Sequence, residues 1–227
     1  MFLHHYFGIQ ESQIAFDIFL HLATGLVVLV YFYPDIASLF TTQRALAILI
    51  LAGCVPTFIL GFLFADKVER FFVNIKLVGA ALVINGIWLF AGHFVDKMGS
   101  RLKNKGPRLH VWQAFVIGAA QGIALIPGIS RSGATIATGL LCGLGSNLAF
   151  RFSFLLLLPA TAGAAIFKLK NATTAMPEIL PLLVGSFFSF AVGLIALNML
   201  SKALKKGLLH FFSIYCILIG LLAIFLK

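Results

Sequence analysis

Pro127-Gly128-Ile129-Ser130-Arg131-Ser132-Gly133-Ala134-Thr135-Ile136 interrupts one of the most apolar parts of a 227-residue chain. Proline lacks an N–H and its ring clashes with the carbonyl four residues back, so a helix arriving at Pro127 stops there. Upstream, residues 111–126 form an uncharged, mostly apolar arm of 16 residues that reaches about 24 Å as a helix. Downstream, a second arm from about Ser132 to Gly145 is shorter still. Neither arm covers a hydrocarbon core of about 30 Å. Two short arms around a polar break predict a re-entrant hairpin or a pair of half-helices; two short tilted spans are the alternative, and both return the chain to one side. Between Val111 and Phe150, Arg131 is the only charged residue. An arginine at the bilayer centre costs about 2.5–3.5 kcal/mol on insertion scales, which marks it as functional.

Composition sets the class. With 61% hydrophobic residues, 11% charged residues and a mean hydropathy of +1.05, the chain is a polytopic membrane protein. The net charge of +10 does not point to nucleic acid, because most basic residues sit in short loops, where they orient helices and meet anionic lipid. Cys54, Cys142 and Cys216 lie in three separate apolar segments and read as packing residues. Residues 1–13 lack the basic region and the cleavage site of a signal peptide.

Six segments are long enough, or nearly so, to span: about 14–33, 45–64, 73–95, 150–167, 179–200 and 208–226. The expected architecture is all-α: about six full spans plus the broken hairpin at 111–145. Lys97, Arg101, Lys103, Lys105 and Arg108 lie in the loop after Asp96, and Lys202, Lys205 and Lys206 in the loop at 201–207. Span counting places both loops on one side, taken as cytoplasmic. Lys67, Arg70 and Lys76 fall on the other side, and both termini are expected to face outward. Ser12-Gln13-Ile14-Ala15-Phe16-Asp17 is similar to Ser146-Asn147-Leu148-Ala149-Phe150-Arg151, 134 residues later, and each run leads into a span of opposite direction. That pattern predicts an inverted-repeat bundle. The chain is then a single membrane domain, with 1–95 a remnant of the first repeat and 111–227 the second. At this offset the partner of the decapeptide lies almost entirely before Met1.

A break followed by Ser-Arg-Ser-Gly-Ala-Thr reads as the N-terminus of a half-helix, with free N–H groups and the positive end of the dipole facing a cavity. Ser130 or Ser132 suits the cap. Arg131 adds a permanently charged planar fork matched to phosphate. Together they make an anion site inside the membrane, and its apolar surroundings suit an anion carrying a lipid tail. Gln121 suits a ligand or a neighbouring helix. His21, with Asp17 one turn earlier, suits a helix-to-helix hydrogen bond or a general base. Asn85, Trp88 and Asn198 read as packing and interface residues. No Asp or Glu occurs between Asp96 and Glu178, so carboxylates for hydrolysis must come from elsewhere. A transporter or flippase for a lipid phosphate is the competing class, since broken helices and inverted repeats serve transport equally well.

The run from Gln121 to Ile136 resembles the second signature of the undecaprenyl-diphosphatase (bacitracin-resistance) family. The runs from Phe16 to Gly25 and from Phe152 to Ala160 are similar to the segments that follow the family's two signatures. The resemblance implies a multi-pass bacterial inner-membrane hydrolase. Such an enzyme converts an isoprenoid lipid diphosphate to the monophosphate at a site facing the periplasm, with a divalent cation (Mg or Ca). It allows a homodimer. Carried over by position, Arg131 would bind the diphosphate, and Ser130, Ser132 and Thr135 would contact phosphate or act near the attacking group. Gln121, Gly128, Gly133 and His21 would line the substrate pocket; metal ligands are not identified. The family's first signature, rich in Glu and Ser and ending in Ser-Ser-Thr-Gly-His, has no match in the chain. The run from Met1 to Gly8 resembles the segment that follows it, so an acidic partner is expected before Met1. The other membrane phosphatase pattern, Ser-Arg-x5-His-x3-Asp, is excluded, because no His or Asp follows Ser130-Arg131 nearby.

Overall fold

The computed structural model describes residues 13–72, 74–99, 109–170 and 179–225. The described residues form nine α-helices and no strand: α1 (Gln13–Tyr31), α2 (Tyr33–Phe40), α3 (Arg44–Phe72), α4 (Ile75–Gly99), α5 (Val111–Ile123), α6 (Arg131–Leu141), α7 (Ser146–Lys170), α8 (Ile179–Lys205) and α9 (Leu209–Phe225). Among the described residues, five of the six expected apolar segments each fall on one helix, while the first, 14–33, runs from α1 into α2. By length and hydropathy, three of these qualify outright as spans: Arg44–Phe64, Ile75–Met98 and Leu180–Lys205. The chain from Leu22 to Phe40 qualifies only as a pair of helices bent by 76°. Leu209–Phe225 is a shorter apolar helix. The expected first span, 14–33, is therefore corrected: helix geometry is lost at Phe32, and α2 begins anew at Tyr33 with Pro34 in its first turn, where a missing N–H costs nothing.

The fold is inside out relative to a soluble domain. Leu183, Phe187, Val192, Ile195 and Met199 are all exposed along α8, and only 6% of its apolar window is buried. Side chains of this kind face lipid, so apolar burial cannot drive the helices together. Close backbone approach and interhelical hydrogen bonds do that work instead. The α4–α9 pair, the most extensive helix contact, shows how. A Cβ on Gly79 would lie 2.8 Å from the Gly220 carbonyl oxygen, and one on Gly86 would lie 2.9 Å from that of Ser213. Ser213 Oγ donates to the Gly86 carbonyl at 2.7 Å.

A spacing of about 134 residues runs through this architecture. The helix starts Ile75 and Leu209 are 134 residues apart. The two close approaches on α4–α9 exchange when numbers are shifted by 134: Gly79 faces Gly220, and Gly86 faces Ser213. The α1–α8 contact has its counterpart in α3–α7, with Val27 against Gly193 in one and Phe58 against Gly163 in the other.

Helices α5 and α6 form an antiparallel pair whose arms of 13 and 11 residues reach about 20 and 16 Å, too short to cross. Both open on the side of the basic loops. There the Gln113 Nε2 donates to the Cys142 carbonyl at 2.9 Å, clasping the mouth of the hairpin. Ser146 Oγ donates to both Asp96 carboxylate oxygens at 3.0 Å, fixing the same end to α4. The hairpin is thus re-entrant, with its tip pointing away from that side. Helix α5 ends at Ile123, three residues before the expected Ile126. The residue four before Pro127 is Ile123, so its carbonyl is the one the ring would strike. Single turns carry the chain on, with Leu125 N–H to the Gly122 carbonyl at 3.2 Å and Ile126 N–H to the Ile123 carbonyl at 3.0 Å.

The core fills the space between this hairpin and α1, α4 and α7. Its largest fully buried side chains include Phe32, Phe152, Ile136, Leu140, Leu155 and Leu156.

Candidate active site

Gly128 turns the chain at the tip of the hairpin. Its φ of +100° lies in the left-handed region, which glycine enters at no steric cost. A side chain there would also meet the Val78 carbonyl oxygen at 2.5 Å. Val78 is in the first turn of α4 and Asn85 two turns further on, so the tip contacts the half of α4 remote from the basic loops. The site therefore lies deep in the bundle as seen from those loops.

Ser130 is the N-cap of α6. With an extended φ/ψ of −71°/118°, its Oγ accepts from the Gly133 N–H at 3.2 Å. Of the two candidate caps, Ser130 takes the role. Its own N–H donates to Oδ1 of Asn85 on α4 at 3.2 Å, and its carbonyl accepts the first intrahelical bond, from the Ala134 N–H at 2.8 Å. Two of the helix's orphan donors remain: the N–H groups of Arg131 and Ser132 have no partner among the described residues. They sit beside the Arg131 guanidinium, which likewise has no ion pair or hydrogen bond among the described residues. A helix N-terminus with two free donors, a positive dipole end and an unpaired guanidinium has the chemistry to receive an anion.

The remaining hydroxyls divide by role. Thr135 is buried; its Oγ1 bonds back to the Arg131 carbonyl at 2.9 Å and meets Ser153 Oγ on α7. That bond ties α6 to α7 just below the anion-binding turn. The Ser132 carbonyl accepts from Thr135 Oγ1 at 3.2 Å, but the Ser132 hydroxyl has no hydrogen-bond partner among the described residues. It shares with Arg131, Ser153, Phe154 and Leu157 a pocket of about 10 Å³, room for about one water. That pocket is too small for a larger ligand, and the turn is open on the other side, where Ser130 is exposed and Arg131 to Gly133 are half-buried.

Gln121 is placed elsewhere. It is 1% exposed, and its Nε2 donates to Thr57 Oγ1 on α3 at 3.3 Å. Thr57 in turn donates to the Gly118 carbonyl at 2.8 Å. The amide thus faces α3, and its Oε1 has no partner. His21 lies on α1, but its side chain and that of Asp17 are outside the described residues. Two contributors escaped the sequence reading. Asn85, read as a packing residue, is 0% exposed and holds the Ser130 N–H; a lone amide in an apolar helix was its only signal. Ser153 sits in the Phe152–Ala160 run, but nothing local aims it at Thr135.

The donor set bears on a divalent cation. Among the described residues no group of three or more His, Cys, Asp or Glu side chains is placed to hold a metal ion. The turn at Arg131 offers N–H groups and hydroxyls rather than the carboxylate oxygens that Mg and Ca take. The described residues do not fit such an ion.

The chain matches the family model described as bacitracin resistance protein BacA over residues 1–222. Curated relatives named undecaprenyl-diphosphatase align along nearly the whole chain. The protein from Halothermothrix orenii is 37% identical over 225 residues, covering 96% of this chain and 85% of the relative. That from Geotalea daltonii is 40% identical over 230 residues, covering 94% and 84%. That from Korarchaeum cryptofilum is 37% identical over 232 residues, covering 94% and 85%. With the phosphate-type helix terminus in place at Ser130-Arg131-Ser132, the chain belongs to the bacitracin resistance protein BacA family.

Proposed function

We propose that this membrane protein hydrolyses undecaprenyl diphosphate to undecaprenyl phosphate and inorganic phosphate, regenerating the lipid carrier for cell-wall synthesis. The observation that carries this reading is the start of α6: an unpaired guanidinium and two unpartnered backbone N–H groups inside an apolar bundle. Arg131 and the N–H groups of Arg131 and Ser132 would grip phosphoryl oxygens of the diphosphate. When the anhydride bond breaks, charge grows on the departing and transferred phosphates, and fixed donors in a dry site stabilise it. Ser132 is the hydroxyl left free to contact phosphate, because Ser130 is committed to the cap and Thr135 to Arg131 and Ser153.

The 134-residue offset between matched close helix contacts supports a single membrane domain of two halves, 1–95 and 111–227. The depth of the hairpin tip beyond the basic loops supports a site in the bacterial inner membrane opening away from the cytoplasm, toward the periplasm. A Mg or Ca requirement and a homodimer are carried by family likeness alone; chelation with re-addition of metal tests the first, and sedimentation in detergent the second.

The test is phosphate release from undecaprenyl diphosphate by the purified chain. Arg131→Ala should lower kcat/KM by about 10²–10³-fold, the scale of losing one transition-state donor. Arg131→Lys should also be impaired, since a point charge does not replace a bidentate fork. Release by Arg131→Ala at the wild-type rate, or no release by the wild-type chain, refutes the reading.

A further inference from the structure

A second cavity, of about 320 Å³, lies where α1 and α8 end and α7 begins, at the end of the bundle that carries the basic loops. Its polar wall is Tyr31, Asp35, Asn147, Arg151, Ser201 and Lys205. It is separate from the Arg131 site. Phe32 and Phe150 line it, and both pack on Phe154, which lines the Arg131 pocket, with ring centroids 5.9 and 4.9 Å away. These aromatic rings form a wall between the two spaces.

Its charge is unbalanced. Arg151 Nη2 pairs with Asp35 Oδ1 and donates to Gln43 Oε1 at 3.3 Å, while Arg151 Nε has no partner. Lys205 forms no ion pair among the described residues. Two cations therefore face one carboxylate. Tyr31, Asn147 and Ser201 add hydroxyl and amide donors with no hydrogen-bond partner among the described side chains. The space is several times the ~30 Å³ share of one water. Basic pockets between membrane helices near the headgroup level take anionic headgroups. Lysines at the end of a helix also complement its dipole. Lys202 and Lys206 can do that from outside the cavity, whereas Lys205 borders it.

We propose that this cavity binds a phosphoryl anion, either the phosphodiester headgroup of an anionic phospholipid or free phosphate. Lys205 and Arg151 are the cationic contacts, and Tyr31, Asn147 and Ser201 the neutral donors. The test is thermal unfolding of the full chain in neutral detergent, titrated separately with short-chain phosphatidylglycerol, short-chain phosphatidylcholine and inorganic phosphate. The titrations are done in an Arg131→Ala background, which removes the deep site and keeps this proposal independent of the hydrolase reading. A saturable rise in Tm with phosphatidylglycerol alone identifies a lipid headgroup; a rise with inorganic phosphate identifies the free anion. Lys205→Gln should weaken the apparent affinity roughly tenfold, the scale of one charge-assisted contact, and Lys202→Gln should leave it unchanged. Equal responses to phosphatidylglycerol and phosphatidylcholine without one to phosphate, no response to any, or the same affinity in Lys205→Gln and Lys202→Gln would overturn the proposal.

Discussion

Asn85→Leu separates a packing residue from one that positions the active turn. The side chain is 0% exposed. Its Oδ1 accepts the Ser130 N–H at 3.2 Å and its Nδ2 donates to Cys216 Sγ at 3.4 Å. Leucine fills similar space but leaves the N-cap N–H without its acceptor. Interhelical hydrogen bonds in membranes are worth about 0.6 kcal/mol on average and up to about 1.7, and a buried donor left unmade costs about 1–3 kcal/mol. A stability loss of about 1–2 kcal/mol follows. The same energy, released as freedom of Ser130, lets the first turn of α6 shift and misaligns the Arg131 and Ser132 donors. At about 1.4 kcal/mol per factor of ten, kcat/KM for phosphate release should fall about 5- to 30-fold. Cys216→Ala removes only the weaker sulfur acceptor and should stay within about twofold. The assay is initial-rate phosphate release at several substrate levels, with circular dichroism to confirm folding. A folded Asn85→Leu protein with unchanged kcat/KM, or one matched in its loss by Cys216→Ala, would refute the positioning role.

Two further outcomes test the packing that holds the hairpin. Gly118→Ala drives a methyl group into the Gly53 carbonyl on α3 and should destabilise by about 1–3 kcal/mol, seen as a lower Tm, whereas Gly145→Ala, with nothing within 4 Å, should change stability by less than about 0.5 kcal/mol; similar Tm values for both would contradict the close α3–α5 contact. Thr135→Val and Ser153→Ala each break the hydroxyl bridge between α6 and α7, so the double variant should be about 0.5–3 kcal/mol less destabilised than the sum of the two, and strict additivity in unfolding measurements would show that the bridge contributes nothing.

Much of the candidate site was legible because it is local. Pro127, Gly128 and the Ser-Arg-Ser run specify a broken helix, a cap and an orphaned helix terminus from adjacent residues. The structure builds those features with Ser130 as cap. The helix ends earlier than read, because the carbonyl that Pro127 forbids is that of Ile123. The apolar pattern of the first span runs straight through the point where the chain bends by 76° at Phe32. Hydropathy records that apolar residues continue, not that their axis turns.

By itself the sequence determined the solvent of this protein, the segments that are helical, the place where one helix pair breaks, and the presence of an arginine at that break. These follow from contiguous hydrophobicity and from the backbone chemistry of proline and glycine. Only the tertiary structure decided which polar groups meet: Asn85 with Ser130, Thr135 with Ser153, Gln121 with Thr57 rather than with the Arg131 pocket, and Arg151 with Asp35. The reason is physical. In a soluble helix, the contrast between apolar and polar faces sets its rotation about its own axis. Here lipid and core are equally apolar, so that contrast is absent, and rotation is set by where small residues let backbones touch and where a few hydrogen bonds can close.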